Sequence, residues 1–255
     1  MKQFILPDSF KGEKSIILKD NDFHYLCNVI RKKAGDSFPG LDKKGNNWQI
    51  TISKIEKESC IIDLILIESK KTEKIEITLV QCLPKGKKMD LIIRQAVESG
   101  VKRIIPVLSD HAVPRFDNNK DIEKKRSRWK KIAIEAMQQS GSAIIPEIEL
   151  PVAIDKIPHL WKNEGPGLFC HQLKIDDNSL HKCLNEKFNQ VYIVIGPEGG
   201  LSDREVKLLL KAGFKSIFLG ENVLRAETAA LYATAAVNVI LLEKNRWNLN
   251  LPAAE

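Results

Sequence analysis

The chain predicts an α/β fold in which a parallel sheet, covered on both faces by helices, follows a smaller β-rich unit. Three observations predict it. From about residue 75 onward, apolar runs of strand length alternate with helical patterns, which is the rhythm of a parallel sheet. Before that point the dominant period is the two-residue period of strands. Near the end, two strand-like runs each pass through a glycine turn into a helix, in "YIVIGPEGGLSDREV" and "SIFLGENVLRAETAALYATAAV".

Each element follows from its own pattern. "DNDFHYLCNVIRKKAGD" sets Phe23, Leu26, Cys27 and Ile30 at helical spacing, with Gly35 placed to end the helix. "PGLDKKGNN" carries turn chemistry in Gly40, Asp42, Gly45, Asn46 and Asn47. "NWQITISKI" puts Trp48, Ile50 and Ile52 on one face of a half-buried strand, and "CIIDLILIES" is a strand partly apolar on both faces. The lysine-rich "ESKKTEKIE" divides the chain into domains 1–72 and 73–255. "IEITLVQCL" and "RIIPVLS" are strands flanking the helix "KKMDLIIRQAVESGV", whose inner face is Met89, Ile92, Ile93, Ala96 and Val97. "DIEKKRSRWKKIAIEAMQQSG" turns Trp129, Ile132, Ala133, Ala136 and Met137 inward beneath a cationic outer face, which a solvated surface explains as well as RNA does. "GLFCHQL", "VYIVI" and "SIFLG" supply further strands, and "SDREVKLLLKAG" a helix that Ser202 and Glu205 can cap. The alanine-dense final helix "AETAALYATAAVNVILL" suits either a buried core or close packing on a partner subunit.

Composition narrows the function. With 255 residues, 43% hydrophobic and 29% charged, the chain has the makeup of a soluble globular protein. Its net charge of +7 fits scattered surface lysines and a polyanion partner equally. The five cysteines, Cys27, Cys60, Cys82, Cys170 and Cys183, are far apart and form no Cys-x-x-Cys pair. That indicates a reducing compartment and argues against a disulfide framework or structural zinc. No His-x-x-x-His pair restores a metal site, so none is expected. "MKQFILPDSFKGEK" is broken by Pro7, Asp8 and Gly12 before a signal sequence could develop, and the apolar stretch "AAVNVILL" is too short to span a bilayer. A cytoplasmic protein without membrane contact is the expectation.

The two glycine turns lie where the carboxyl ends of parallel strands meet their loops, the usual ligand position in such sheets. Neither matches the dinucleotide fingerprint or the phosphate loop. Glu198 at the centre of the first turn would repel an anion, and Ser202 with Glu205 already caps the helix that follows. Both features argue against a phosphate cradle, while two adjacent Gly/Glu-rich turns point to a ligand site.

At this point "IGPEGGLSDREV" followed by "LGENVLRAETAALYATAAV" resembles the end of the SPOUT RNA methyltransferases, and most closely the RsmE family, the uracil N-3 methyltransferases of 16S ribosomal RNA. "LPKGKKMDLIIRQAVESGV", "WKKIAIEAMQQSG" with "IPEI", and "VIRKKAGD" are similar to further blocks of that family, in order along nearly the whole chain. The resemblance implies a PUA-like β-barrel domain that helps hold RNA, then an α/β SPOUT domain tied in a trefoil knot. It implies a homodimer, with S-adenosylmethionine as cofactor and small-subunit 16S rRNA as substrate.

The resemblance also assigns residues. Ile195, Gly196, Pro197, Gly199, Gly200, Leu219, Gly220, Leu224, Thr228 and Ala229 would form the cofactor pocket, with Cys170 and His171 at its rim. His171 equally suits a histidine of no chemical role. The imide nitrogen of uracil must lose its proton to become nucleophilic, and a cation beside a carbonyl oxygen favours the anion. Arg225 is the first candidate for that cation, against a structural salt bridge to Glu221 or Glu227; Glu198 and Glu227 could accept a proton or grip the cofactor. Arg31, Lys32, Lys85, Lys87 and Lys88 would contact RNA phosphates. Three positions depart from the family's pattern, where Gln3, His111 and Ser142 stand in place of arginines. Each is expected to cost positive charge at an RNA surface and to leave the cofactor untouched. The alternatives are ribose 2'-O or transfer RNA methylation on the same fold, or an RNA-binding assembly factor without catalysis.

Overall fold

The computed structural model describes residues 3–67, 75–113, 116, 118–142 and 146–250, the last six by backbone alone. The chain forms two units, Met1–Thr72 with Met137–Ile145, and Glu73–Ala136 with Pro146–Glu255. Residues 137–145, placed in the second domain by the sequence pattern, thus group with the first. The expected boundary itself, between residues 72 and 73, lies outside the described residues.

The first unit contains β1 (Phe4–Ile5), β2 (Ser15–Lys19), α1 (Asp20–Phe23), β3 (Ser37–Leu41), β4 (Asn47–Ile55) and β5 (Ser59–Ile67). The sheet order is β1-β3-β4-β5-β2, antiparallel except for the parallel β1–β3 pair. Trp48, Ile50 and Ile52 of β4 meet Cys60, Ile62 and Leu64 of β5 in one core with Phe4, Leu26 and Phe38. The two-residue period therefore buries one face of each strand, as the pattern requires.

Two local expectations are corrected here. Helix α1 opens into a wider turn over His24–Val29, and Arg31 takes the left-handed position (φ 55°), so Lys32 N–H closes the end on the Leu26 carbonyl. Gly35 serves the next bend instead. Gly40 lies inside β3, not in a turn, because a Cβ there would stand 2.3 Å from Ile50 Cδ1 across the sheet. Asp42 makes the real turn, accepting from the Lys44 and Asn46 amides, the Asn46 side chain and Trp48 Nε1.

The second unit runs β6 (Glu76–Cys82), α2 (Lys88–Glu98), β7 (Arg103–Leu108), α3 (Asn119–Ser140), β8 (Glu147–Ile148), β9 (Val152–Ala153) and α4 (Ile157–Trp161). It continues with β10 (Gly167–Cys170), α5 (Leu180–Cys183), β11 (Gln190–Ile195), α6 (Asp203–Ala212), β12 (Lys215–Ile217) and α7 (Ala226–Asn250). The strand order is β12-β10-β11-β6-β7-β8, with β9 also on β7, and every pairing is parallel. Because all strands point the same way, the loops after β10, β11 and β12 gather at one edge.

The helical patterns translate directly into burial. Met89, Ile92, Ile93, Ala96 and Val97 are the buried residues of α2. In α3, Trp129, Ala133, Ala136 and Met137 are buried and Ile132 is half-buried. Ser202 caps α6 with Glu205 in a reciprocal box, and Glu205 is fully buried. The expected strand "SIFLG" shortens to three residues, since the chain leaves β10 after Ile217.

Helix α7 extends well beyond the apolar run "AAVNVILL". By length and composition Ala226–Lys244 could cross a membrane, with a mean hydropathy of 1.2, although no single apolar run in it is long enough. Its alanines bridge the shorter runs. One face, carrying Ala226, Ala230, Ala233, Val237 and Leu241, is buried, and the helix packs on β6, β11 and α2. The other face exposes Tyr232, Val239 and Leu242.

Candidate active site

A cavity of about 130 Å³ opens at the carboxyl ends of β10, β11 and β12. Each strand contributes through the loop that leaves it. Cys170, His171 and Gln172 come from the end of β10. Ile195 to Leu201 follow β11 as the Gly-Pro-Glu-Gly-Gly turn. Leu219, Gly220, Asn222, Val223 and Leu224 follow β12, and Ala226 and Ala229 open α7. The walls are mostly aliphatic side chains and backbone, which suits a flat aromatic group with polar edges.

The carboxylates are tied down. Glu198 accepts from the Lys85 amide at 3.1 and 3.2 Å and from Lys88 Nζ at 2.8 Å. Lys88 also stands 3.6 Å from Glu227 Oε2, so the first turn of α2 links the β11 turn to the start of α7. Partial burial works to raise the Glu198 pKa, but the Lys88 ammonium and the amide hydrogen bonds outweigh it and hold the carboxyl below its usual value. The same contact, led by the Glu198 hydrogen bond, holds the Lys88 ammonium above its own. A carboxyl so held is a weak proton acceptor. Packing around Cys170 pushes its thiol up to about 12, which keeps it protonated. His171 receives the Leu173 amide on Nδ1 at 3.1 Å.

Arg225 differs from these groups. It is exposed next to the pocket wall, and no ion pair among the described residues reaches it. The salt bridge to Glu221 or Glu227 is therefore absent.

The second unit matches a family described as "RNA methyltransferase domain" over residues 71–238, and residues 18–65 match one described as "RNA methyltransferase PUA domain". "Ribosomal RNA small subunit methyltransferase E 2" of Borreliella burgdorferi is 30% identical over 252 residues, covering 96% of this chain and all of that protein. The chain belongs to the ribosomal RNA small subunit methyltransferase E family. An Aquifex aeolicus member is 33% identical over 218 residues, 85% of this chain and 90% of its own. The crystal structure of the Neisseria gonorrhoeae member, bound to S-adenosyl methionine, superposes with a TM-score of 0.81 at 26% identity, over 94% of this chain and 98% of that one. A probable rRNA methyltransferase from Porphyromonas gingivalis gives 0.79 at 27% identity, over 96% and 100%.

Within this family fold, eleven of the expected pocket residues share one cavity: Cys170, His171, Ile195, Gly196, Pro197, Gly199, Gly200, Leu219, Gly220, Leu224 and Ala229. Thr228 does not line it and is exposed, because one turn of α7 carries its side chain away from Ala226 and Ala229. Gln172, Leu201, Asn222, Val223 and Ala226 line the cavity without having been expected.

The basic residues divide. Lys85 and Lys87 are exposed beside the turn, whereas Lys88 is committed to Glu198 and Glu227. In the first unit Arg31 is exposed and Lys32 stacks 5.2 Å above the Phe38 ring. On α3, Arg126 Nε donates to the Ile148 carbonyl and Arg128 pairs with Asp90, so two of the cationic residues are structural. Gln3 is buried, with Nε2 on Asn47 and Oε1 unpartnered, so it is no surface position. His111 lies against the Gly199 and Gly200 carbonyls, at the cofactor turn expected to be untouched by it.

Proposed function

We propose that this chain methylates the N-3 imide nitrogen of one uridine in 16S ribosomal RNA of the small subunit, using S-adenosylmethionine, as a homodimer in the cytoplasm. The observation that carries the reading is one cavity walled by the loops of three parallel strands, in a chain of this family. The walls fit the donor. Aliphatic residues suit its adenine, backbone groups of both glycine turns suit its ribose and amino-acid edges, and Glu198 tolerates a cation nearby.

When bound, S-adenosylmethionine supplies a methyl group activated by its sulfonium. The chain's own residues then orient and polarise. Ile195, Leu219 and Leu224 hold the adenosyl part and exclude water from the transfer path. Lys88 fixes Glu198 and Glu227 so that the two turns keep their spacing. Arg225, unpaired at the mouth, lies against a uracil carbonyl oxygen and favours loss of the N-3 proton. Exposed Arg31, Lys85 and Lys87 bind phosphates and set register without reading sequence.

The decisive experiment is a mass-spectrometric map of 16S rRNA from cells lacking the gene. One methyluridine goes missing if the reading holds. An unchanged map refutes it, and a lost ribose methyl moves the activity to a different atom.

A further inference from the structure

We propose that His111 is a positioning residue for the methyl-donor pocket, holding the Gly-Pro-Glu-Gly-Gly turn in its binding shape. The proposal rests on the reading of that pocket given above.

His111 Nδ1 lies 3.1 Å from the Gly199 carbonyl oxygen and 3.2 Å from that of Gly200. Both neighbours are acceptors, so Nδ1 carries the hydrogen and donates to them. The fit is mutual. A Cβ on Gly199 would stand 3.1 Å from His111 Cβ, so the glycine makes room for the histidine. His111 is not among the residues that line the cavity, so its effect on the pocket runs through the turn.

The loop that carries His111 is itself stapled in place. The Asp110 amide donates to Glu205 Oε1 at 2.7 Å, and Ser202 Oγ donates to Asp110 Oδ2 at 2.5 Å. Arg204 donates from Nε and Nη2 to the two oxygens of Asp110 at 3.1 and 2.9 Å. The histidine therefore has a fixed platform, and the turn is gripped from two sides, by Lys85 and Lys88 on Glu198 and by His111 on the two carbonyls that follow.

The test compares wild type with His111→Ala, His111→Asn and His111→Gln. Asparagine places its amide nitrogen at the same number of bonds from Cβ as Nδ1, and glutamine one bond farther. The readouts are S-adenosylmethionine Kd by calorimetry, melting temperature, and kcat against KM for the donor. Alanine and glutamine should weaken Kd and raise KM roughly threefold to tenfold, the worth of one net hydrogen bond, with kcat at saturation and melting temperature unchanged. Asparagine should keep wild-type affinity. An alanine variant that binds like wild type overturns the proposal, and so does an asparagine variant as weak as alanine. Wild-type protein that binds no donor overturns the pocket reading as well.

Discussion

Arg225 and Lys88 show how two cations within reach of one pocket come to different tasks. Lys88 is paired with Glu198 and Glu227, while Arg225 is exposed with no ion pair among the described residues, as its proposed role beside uracil requires. Arg225→Ala should therefore lower kcat on the order of a hundredfold or more, as loss of a polarising donor does, and leave donor affinity intact. Single-turnover methylation with calorimetry on the same variant checks this. Lys88→Met should do the reverse, weakening S-adenosylmethionine binding about tenfold while RNA affinity holds, because the lysine secures the turn and not the phosphates. Filter binding of RNA beside donor calorimetry separates the two effects. Which lysine faces which carboxylate was not legible in the sequence, since Lys88 and Glu198 are 110 positions apart and only the fold makes them neighbours. Gln3 misled for a related reason. The resemblance put it at an RNA surface, yet its side chain is buried with Nε2 on Asn47.

Among the elements, the long periodic ones were the most legible. The inner face of α2 and the alternation of β4 follow from spacing because burial of one face dominates each, and the capping box of α6 follows from Ser202 and Glu205 standing three positions apart. The short ones were not. β8, β9, α4 and α5 are two to five residues long and have too few positions to display a period. β8 and β9 owe their form to pairing with β7. The start of α6 also carries an acid-sensitive link. Hydrogen bonds from Arg204 and Ser202 hold the Asp110 carboxyl at about 2, below its unfolded value. A carboxyl depressed in the folded state stabilises fully above its unfolded pKa, near 4, and loses that contribution as pH falls toward 2. Asp110→Asn should thus lower the melting temperature at pH 7 and bring it closer to wild type at pH 2.5. Calorimetric melts across that range decide it, and a difference that stays constant with pH would remove the carboxylate from the explanation.

For the molecule as a whole, α7 is the element on which the proposed association rests. Its buried stripe packs on the sheet, and its opposite stripe presents Tyr232, Val239 and Leu242 to solvent. A helix apolar on two sides has a second surface to cover, and a second copy of the chain is the occupant we propose. Sedimentation should give a dimer for wild type. Val239→Lys together with Leu242→Lys should give a folded monomer, with circular dichroism showing retained helix; a variant still dimeric would place the interface elsewhere. The unit order and the glycine-turn pocket were visible in the sequence because both are written in contiguous segments. The pairing of loops around that pocket was not, because it joins distant stretches.

That distance has a consequence for biosynthesis. Lys85, Lys88, Asp110 and His111 emerge from the ribosome well before the turn they hold, whose residues lie some 88 to 113 positions later. The nascent sheet waits with its central strand β6 bare on one side until β11 arrives. Loop closure over such spans is slow. The pocket is thus among the last parts of the fold to be completed, and a chain released before Leu219 lacks the wall that follows β12.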